Sequence, residues 1–256
     1  MLVIDDLCVR VAGRLLIENA SVQVPTGARV GLVGRNGAGK TTLFRAIAGD
    51  IAIESGRIGI NPRASVRRLA QEAPDGPESL IDTVLAADHE RARLLAEAET
   101  ARDPFRVAEV QTRLADLGAH AAPARAAAIL AGLGFDAAEQ RRACAEFSGG
   151  WRMRVALAAA LFAEPDVLLL DEPTNYLDLE GTMWLQAHLA RYPRTVLVIS
   201  HDRDLLDEAV DHILHLERGR LDLYRGGYSA FERQREERQA LDLKLANKRE
   251  TERRRI

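Results

Sequence analysis

The chain has 256 residues, enough for one large domain or two modest ones with a substantial core. With 47% hydrophobic and 29% charged residues and a net charge of -3, it is no polycation made for non-specific nucleic-acid binding, no collagen and no wholly disordered segment. Two cysteines, Cys8 and Cys144, make neither a disulfide framework nor a zinc site and suit a reducing cytosol; no apolar run nears the roughly 18 residues of a membrane helix, and the opening MLVIDDLCVRVAG lacks a basic n-region.

In chain order, the first strong signal is Arg29-Val30-Gly31-Leu32-Val33, which reads as a buried strand. It runs into Gly34-Arg35-Asn36-Gly37-Ala38-Gly39-Lys40-Thr41, and Thr42 to Ala48 reads as a helix stopped near Gly49. The run fits G-x-x-x-x-G-K-[ST], a loop whose glycines let successive backbone N–H groups turn onto phosphates at a helix N-terminus. Arginine supplies 32 of the 35 basic residues, yet this loop holds Lys40, the only lysine before Lys244 and Lys248. A compact ammonium suits the β- and γ-phosphates better than a wide planar fork, and Thr41 offers a hydroxyl to Mg²⁺.

Further along, Leu80 to Ala101 reads as one helix, Asp103-Pro104 as a break, Phe105 to Leu117 as a second helix and Ala124 to Leu133 as a third. Ser148-Gly149-Gly150 opens another through Val155-Ala156-Leu157-Ala158, with Ser148 placed to act as its N-cap. Val167 to Leu170 is a continuous apolar strand ending in two carboxylates, Asp171 and Glu172. Beside a phosphate loop, Asp171 is expected to hold Mg²⁺ through water and Glu172 to orient and deprotonate an attacking water. Thr195 to Ser200 reads as another strand, followed by His201. A guanine-reading Asn-Lys-x-Asp is missing, since the only Asn-Lys is Asn247-Lys248-Arg249-Glu250 in a charged tail.

Three further runs decide the class: Phe147-Ser148-Gly149-Gly150-Trp151-Arg152-Met153-Arg154, Asp171-Glu172-Pro173-Thr174-Asn175-Tyr176-Leu177-Asp178, and Ser200-His201-Asp202-Arg203-Asp204. In this order the chain resembles the ATP-binding cassette (ABC) ATPases over roughly residues 2 to 225. Asn175, Trp151 and Tyr224-Arg225-Gly226-Gly227-Tyr228 before a charged helix are similar to the ABC-F proteins, soluble cassettes that act on ribosomes. The resemblance implies an α/β fold: a P-loop NTPase cassette with a RecA-like parallel core, an antiparallel β subdomain and a helical subdomain, followed by a long charged helix. The cassette would cover 1–228, with the helical subdomain and an arm-like hairpin at about 78–165, and the start of a truncated interdomain linker would cover 229–256.

Carried onto these positions, the resemblance makes Gly34, Arg35, Asn36, Gly37, Ala38, Gly39, Lys40, Thr41 and Thr42 the nucleotide loop. Gln71 becomes a Mg²⁺ and γ-phosphate sensor, and His201 a catalytic group on the γ-phosphate and attacking water. Ser148, Gly149 and Gly150 would face the γ-phosphate held by an opposite cassette, and Asp178 would link the two active sites. The cofactors implied are ATP and Mg²⁺, and the partners a second cassette, the ribosome and tRNA, with no membrane insertion and a cytoplasmic location. The chain would hold two half-sites and need a second cassette for hydrolysis. Two positions depart from the family pattern: Val11 stands where an aromatic residue stacks on adenine, and Tyr176 where ABC-F proteins usually have His.

Residues 232–256 carry nine basic and six acidic groups, a net +3, leaving -6 on the rest. A basic helix on an acidic ATPase suits a phosphate backbone, and equally a solvated helix laced with i,i+4 pairs. The mixed-charge hairpin is likewise either an arm or a packing element. The competing class is the ATPase subunit of a membrane transporter, against which Asn175, Trp151 and the charged tail argue.

Overall fold

The computed structural model describes residues 1–69, 73–238 and 240. In chain order these form β1 (Leu2–Val11), β2 (Arg14–Val24), β3 (Arg29–Val33), α1 (Lys40–Ala48), β4 (Ser55–Gly59), β5 (Val66–Arg68), α2 (Leu80–Ala86), α3 (His89–Thr100) and α4 (Pro104–Asp116). There follow α5 (Ala122–Gly132), α6 (Gly149–Phe162), β6 (Val167–Asp171), α7 (Leu179–Leu189), β7 (Thr195–Ile199), α8 (Arg203–Glu208), β8 (His212–Glu217), β9 (Arg220–Arg225) and a helix α9 over 228–238. Two compact units result: residues 1–62 with 189–256, and residues 63–188.

The first unit contains the antiparallel sheet β2-β1-β4 and the strands β7-β3-β8-β9. β1 alternates, burying Leu2, Ile4, Leu7 and Val9, and shifts phase across Asp6, whose φ is +46°. β3 is almost wholly buried and runs parallel to both β7 and β8, which is why it carries a continuous apolar sequence rather than an alternating one. Between β3 and β7 the register pairs Leu32 with Ile199, so the two strands end side by side. Arg29 is anchored at the other end, its backbone N–H and guanidinium both donating to Asp211 and its Nη1 to the Ala190 carbonyl. That geometry aims the phosphate-type loop and the residues after β7 toward one edge.

The second unit pairs β5 with β6 in parallel and surrounds them with helices. α6 has an apolar body, with Val155, Leu157, Ala158, Leu161 and Phe162 at 2% exposure or less. The helix expected over Leu80–Ala101 is two helices, α2 and α3. Asp88 ends the first by turning its carboxylate onto the Arg91 N–H at 3.0 Å, a local cap that competes with a continuous helix. α3 and α4 form a hairpin with its own small core of Leu94, Val110 and Leu114, laced by Arg106–Glu97 and Arg113–Glu90 pairs. Pro104 is the first residue of α4 rather than a break in front of it, capped by Asp103. Among the described residues, no helix is long and apolar enough to cross a membrane. The tail from 241 to 256, with Lys244 and Lys248, lies outside the described residues.

Candidate functional site

The site begins at Gly34. A Cβ there would sit 2.5 Å from the Leu216 carbonyl oxygen of β8, so only glycine lets the chain leave β3 along that strand. The loop then turns through Gly37 and reaches Gly39, whose φ of +108° starts α1 with no side chain at the cap. The first intrahelical bond recorded runs from the Leu43 N–H to the Gly39 carbonyl at 2.8 Å. The N–H groups of Lys40, Thr41 and Thr42 therefore have no acceptor within the helix and, with the helix dipole, turn a positive end toward the loop. Lys40 is only 9% exposed and its Nζ donates to the Gly34 and Arg35 carbonyls at 2.8 and 3.3 Å. Both acceptors are neutral atoms of the loop itself, so the ammonium keeps its charge uncancelled at this point.

Gly34, Arg35, Asn36, Gly37, Ala38 and Lys40 line a cleft of about 780 Å³. Six cationic side chains face it, Arg14, Arg35, Lys40, Arg203, Arg218 and Arg235, against the single carboxylate of Glu217. A cleft of one sign concentrates a polyanion. Ser200 and His201 line the same cleft because β7 ends beside β3. Hydrogen bonds hold their turn: Ser200 Oγ accepts from the Asp202 N–H at 3.0 Å, and Asp202 caps α8 through the N–H groups of Asp204 and Leu205. His215, also on the cleft, is pushed toward the neutral imidazole by burial and then by the Arg235 cation. Thus the phosphate-type loop and His201, far apart in sequence, meet on the first unit.

The remaining candidates lie on the second unit. Asp171 ends β6 half-buried, and Glu172 follows with φ +48° and ψ +53°. A left-handed backbone on a non-glycine residue costs of order 1–3 kcal/mol and clusters at functional sites. Ser148 is the N-cap of α6 as expected, but its hydroxyl makes no cap hydrogen bond, which corrects the capping role read from its residue type. Ser148, Gly149 and Gly150 are exposed, and a Cβ on either glycine would meet nothing within 4 Å. Among the described residues, no neighbour therefore requires glycine at those two places. Gln71 lies outside the described residues.

Asp178 is held twice. Its Oδ1 accepts from the Gly181 N–H at 2.9 Å and its Oδ2 from Arg154 Nη1 at 3.0 Å, and these two bonds keep its carboxyl below the usual range. Arg154 was not among the residues singled out from sequence. It is nearly buried, donates also to the carbonyls of Tyr176 at 2.6 Å and Leu133 at 3.2 Å, and lies over the Trp151 ring at 4.2 Å. The available signal was a lone arginine inside the apolar run Met153–Leu161, a placement that calls for buried partners.

Among the described residues no group of three His, Cys, Asp or Glu side chains could enclose a metal. The hydroxyl of Thr41 and the carboxylate of Asp171 are hard oxygen donors, of the type Mg²⁺ takes when phosphate oxygens and water complete its shell.

A glycine-rich loop leading from a buried parallel strand into a helix, with its lysine in a basic cleft, defines a phosphate-loop nucleotide-binding class. The family model described as "ABC transporter" matches residues 17–175, and a second one of that description matches 214–256. The chain belongs to this ABC family. Its likeness within the family is to the F members. It is 43% identical over 91% of its length to ABC transporter F family member 3 of Arabidopsis thaliana, and 40% over 92% to the human ATP-binding cassette sub-family F member 3. It is also 40% identical over 94% of its length to the probable ATP-binding protein YheS of Escherichia coli K12. The chain spans 34 to 38% of the length of these curated relatives. Among solved structures, an ATP-binding subunit of an ABC transporter shares the fold at TM-score 0.68 and 21% identity, covering 91% of this chain and 92% of that one. A dimeric ATP-binding cassette in a post-hydrolysis state with ADP and Pi does so at TM-score 0.64 and 18% identity, covering 88% and 98%. The expected cassette fold is borne out.

Proposed function

We propose that this chain is an ATP-binding and ATP-hydrolysing cassette that works with a second cassette, in a longer cytoplasmic protein that acts on the ribosome. The observation that carries the nucleotide reading is the Lys40 ammonium, seated on its own loop at the start of α1 in a cleft lined by six cations. The triphosphate lies along Gly34–Thr42, where the helix N–H groups and Lys40 offset its charge. Thr41, Asp171 and Gln71 would hold Mg²⁺, which when bound would offset charge on the triphosphate. Glu172 accepts a proton as the water oxygen attacks the γ-phosphorus and the bond to the ADP oxygen breaks. His201 donates a hydrogen bond to the γ-phosphate and orients that water.

Support for pairing comes from α6: Gly149 and Gly150 are exposed and a Cβ on either would meet none of the described residues, as suits a helix N-terminus approached by another cassette's phosphate. Asp178, fixed by Arg154, then couples the two sites. Support for the ribosome comes from the likeness to F members and from the α3–α4 hairpin, where Phe105 is 87% exposed beside Asp103 and Pro104. The linker over 229–256 and this hairpin would meet ribosome and tRNA.

Two measurements test this reading. The Glu172→Gln protein should still bind ATP while hydrolysis falls about 10²–10⁴-fold; normal turnover would remove Glu172 as the base. The full-length variant with ATP should co-sediment with ribosomes, and sedimentation with membranes would favour a transporter subunit instead.

A further inference from the structure

We infer that Arg14 is the residue on which the nucleotide base stacks, and that the site therefore discriminates poorly between purines. The inference rests on the phosphate-loop reading and extends it from the phosphates to the base. The wall of the cleft next to the loop is the start of β2. A Cβ on Gly39 would lie 3.3 Å from the Leu16 Cβ, so Leu16 packs directly on the loop at the first residue of its turn into α1. Arg14 and Leu16 are two residues apart on one strand and thus share a face. Arg14 stands about 7 Å farther from the phosphates than Leu16, a gap a ribose fills, and both line the cleft.

No ring in that stretch offers a stacking face. Val11 is the cross-strand partner of Arg14, but it has no π surface and does not line the cleft. Of the cleft's aromatics, Phe231 is 2% exposed and packed against Tyr224 and His215, and Tyr228 already lies under the Arg203 guanidinium at 4.9 Å. Of the other arginines lining the cleft, Arg203 is engaged with Glu232 and Arg235 with Glu217, while Arg35 belongs to the phosphate loop itself and Arg218 to the turn between β8 and β9. The Arg14 side chain is exposed and makes no hydrogen bond or ion pair among the described residues, so its planar guanidinium is uncommitted where it lines the cleft. A guanidinium plane stacks on any base through its π-face and reads none of the base's edge atoms.

Binding of ATP, GTP and inorganic tripolyphosphate to the wild-type protein, Arg14→Lys and Arg14→Tyr tests this, with Lys40→Ala as the reference for the phosphate loop and circular dichroism to verify folding. Wild type should bind ATP and GTP within a few-fold of each other. Arg14→Lys keeps the charge and loses the plane, so both nucleotides should weaken about tenfold while tripolyphosphate is unchanged. Arg14→Tyr should restore nucleotide binding. Unchanged ATP affinity in Arg14→Lys overturns the inference, as does an equal loss for ATP and tripolyphosphate, which would make Arg14 a point charge only. If Lys40→Ala binds ATP as wild type does, the phosphate-loop reading itself fails, and the inference with it.

Discussion

The Arg154 guanidinium donates to the Asp178 carboxylate at 3.0 Å, and with the same fork it holds the Tyr176 and Leu133 carbonyls. One buried cation thus ties the helix that follows Ser148-Gly149-Gly150 to the turn that follows Glu172. Removing it takes that donor from both carbonyls. Replacement Arg154→Ala should destabilise the protein by about 2–3 kcal/mol, read from urea unfolding. Arg154→Lys should recover only part of that, because one ammonium cannot reproduce the fork. A loss below about 0.5 kcal/mol, the size of an ordinary surface substitution, would show the network to be incidental.

Glu172 holds a left-handed backbone that glycine adopts freely. Glu172→Gly should therefore raise thermal stability modestly, by up to about 1 kcal/mol, while abolishing hydrolysis. Calorimetry and a phosphate-release assay on the same sample separate the two. Loss of both stability and activity would mean that the Glu172 side chain, and not its backbone, matters to folding.

Lys40 is nearly buried and close to two carbonyls, so a larger fork does not fit its position. Lys40→Arg preserves charge yet should weaken ATP binding at least tenfold, a change of about 1.4 kcal/mol, in isothermal titration. Equal affinity would make charge alone sufficient.

At Gly149, an alanine methyl meets no atom within 4 Å and improves helix propensity by about 1 kcal/mol. Gly149→Ala should leave the melting temperature unchanged or higher and lower ATP turnover, because the methyl obstructs none of the described residues and would meet an approaching second cassette. Turnover at the wild-type rate would count against pairing through this helix.

His188 and His215 both have imidazoles that burial pushes below the ordinary value of 6.5, with Arg235 adding to the effect at His215. The folded state then binds fewer protons than the unfolded chain just below that value. Stability should be fully present above pH 6.5 and fall as the pH drops toward the folded pKa values, with a slope of about 1.4 kcal/mol per pH unit for each proton difference. In His188→Gln that slope should shrink by the His188 share. Chemical denaturation from pH 5 to 8 measures it, and an unchanged slope would exclude His188 as a contributor.

Much of this molecule is legible locally. The strand over Arg29–Val33, the strand ending at Asp171 and the stop of α1 at Gly49 follow from apolar runs and from glycine, because burial and backbone freedom are properties of a short segment. The break between α2 and α3 was hidden because Asp88 is an unremarkable helix residue until its carboxylate turns back onto a backbone N–H. Ser148 is the reverse case, a good capping residue whose hydroxyl does not cap.

The sequence by itself determined the chemistry on offer: a phosphate loop with one lysine in an arginine-rich chain, two carboxylates after an apolar strand, and the family those runs belong to. The tertiary structure alone decided which groups meet. It set Gly34 against Leu216, drew His201 to the cleft by the parallel register of β3 and β7, put Arg14 on the cleft wall and gave Arg154 to Asp178. The reason is physical. Residue type fixes what a side chain can donate or accept, whereas its partner is chosen by strand register and packing over long separations, which no local pattern encodes.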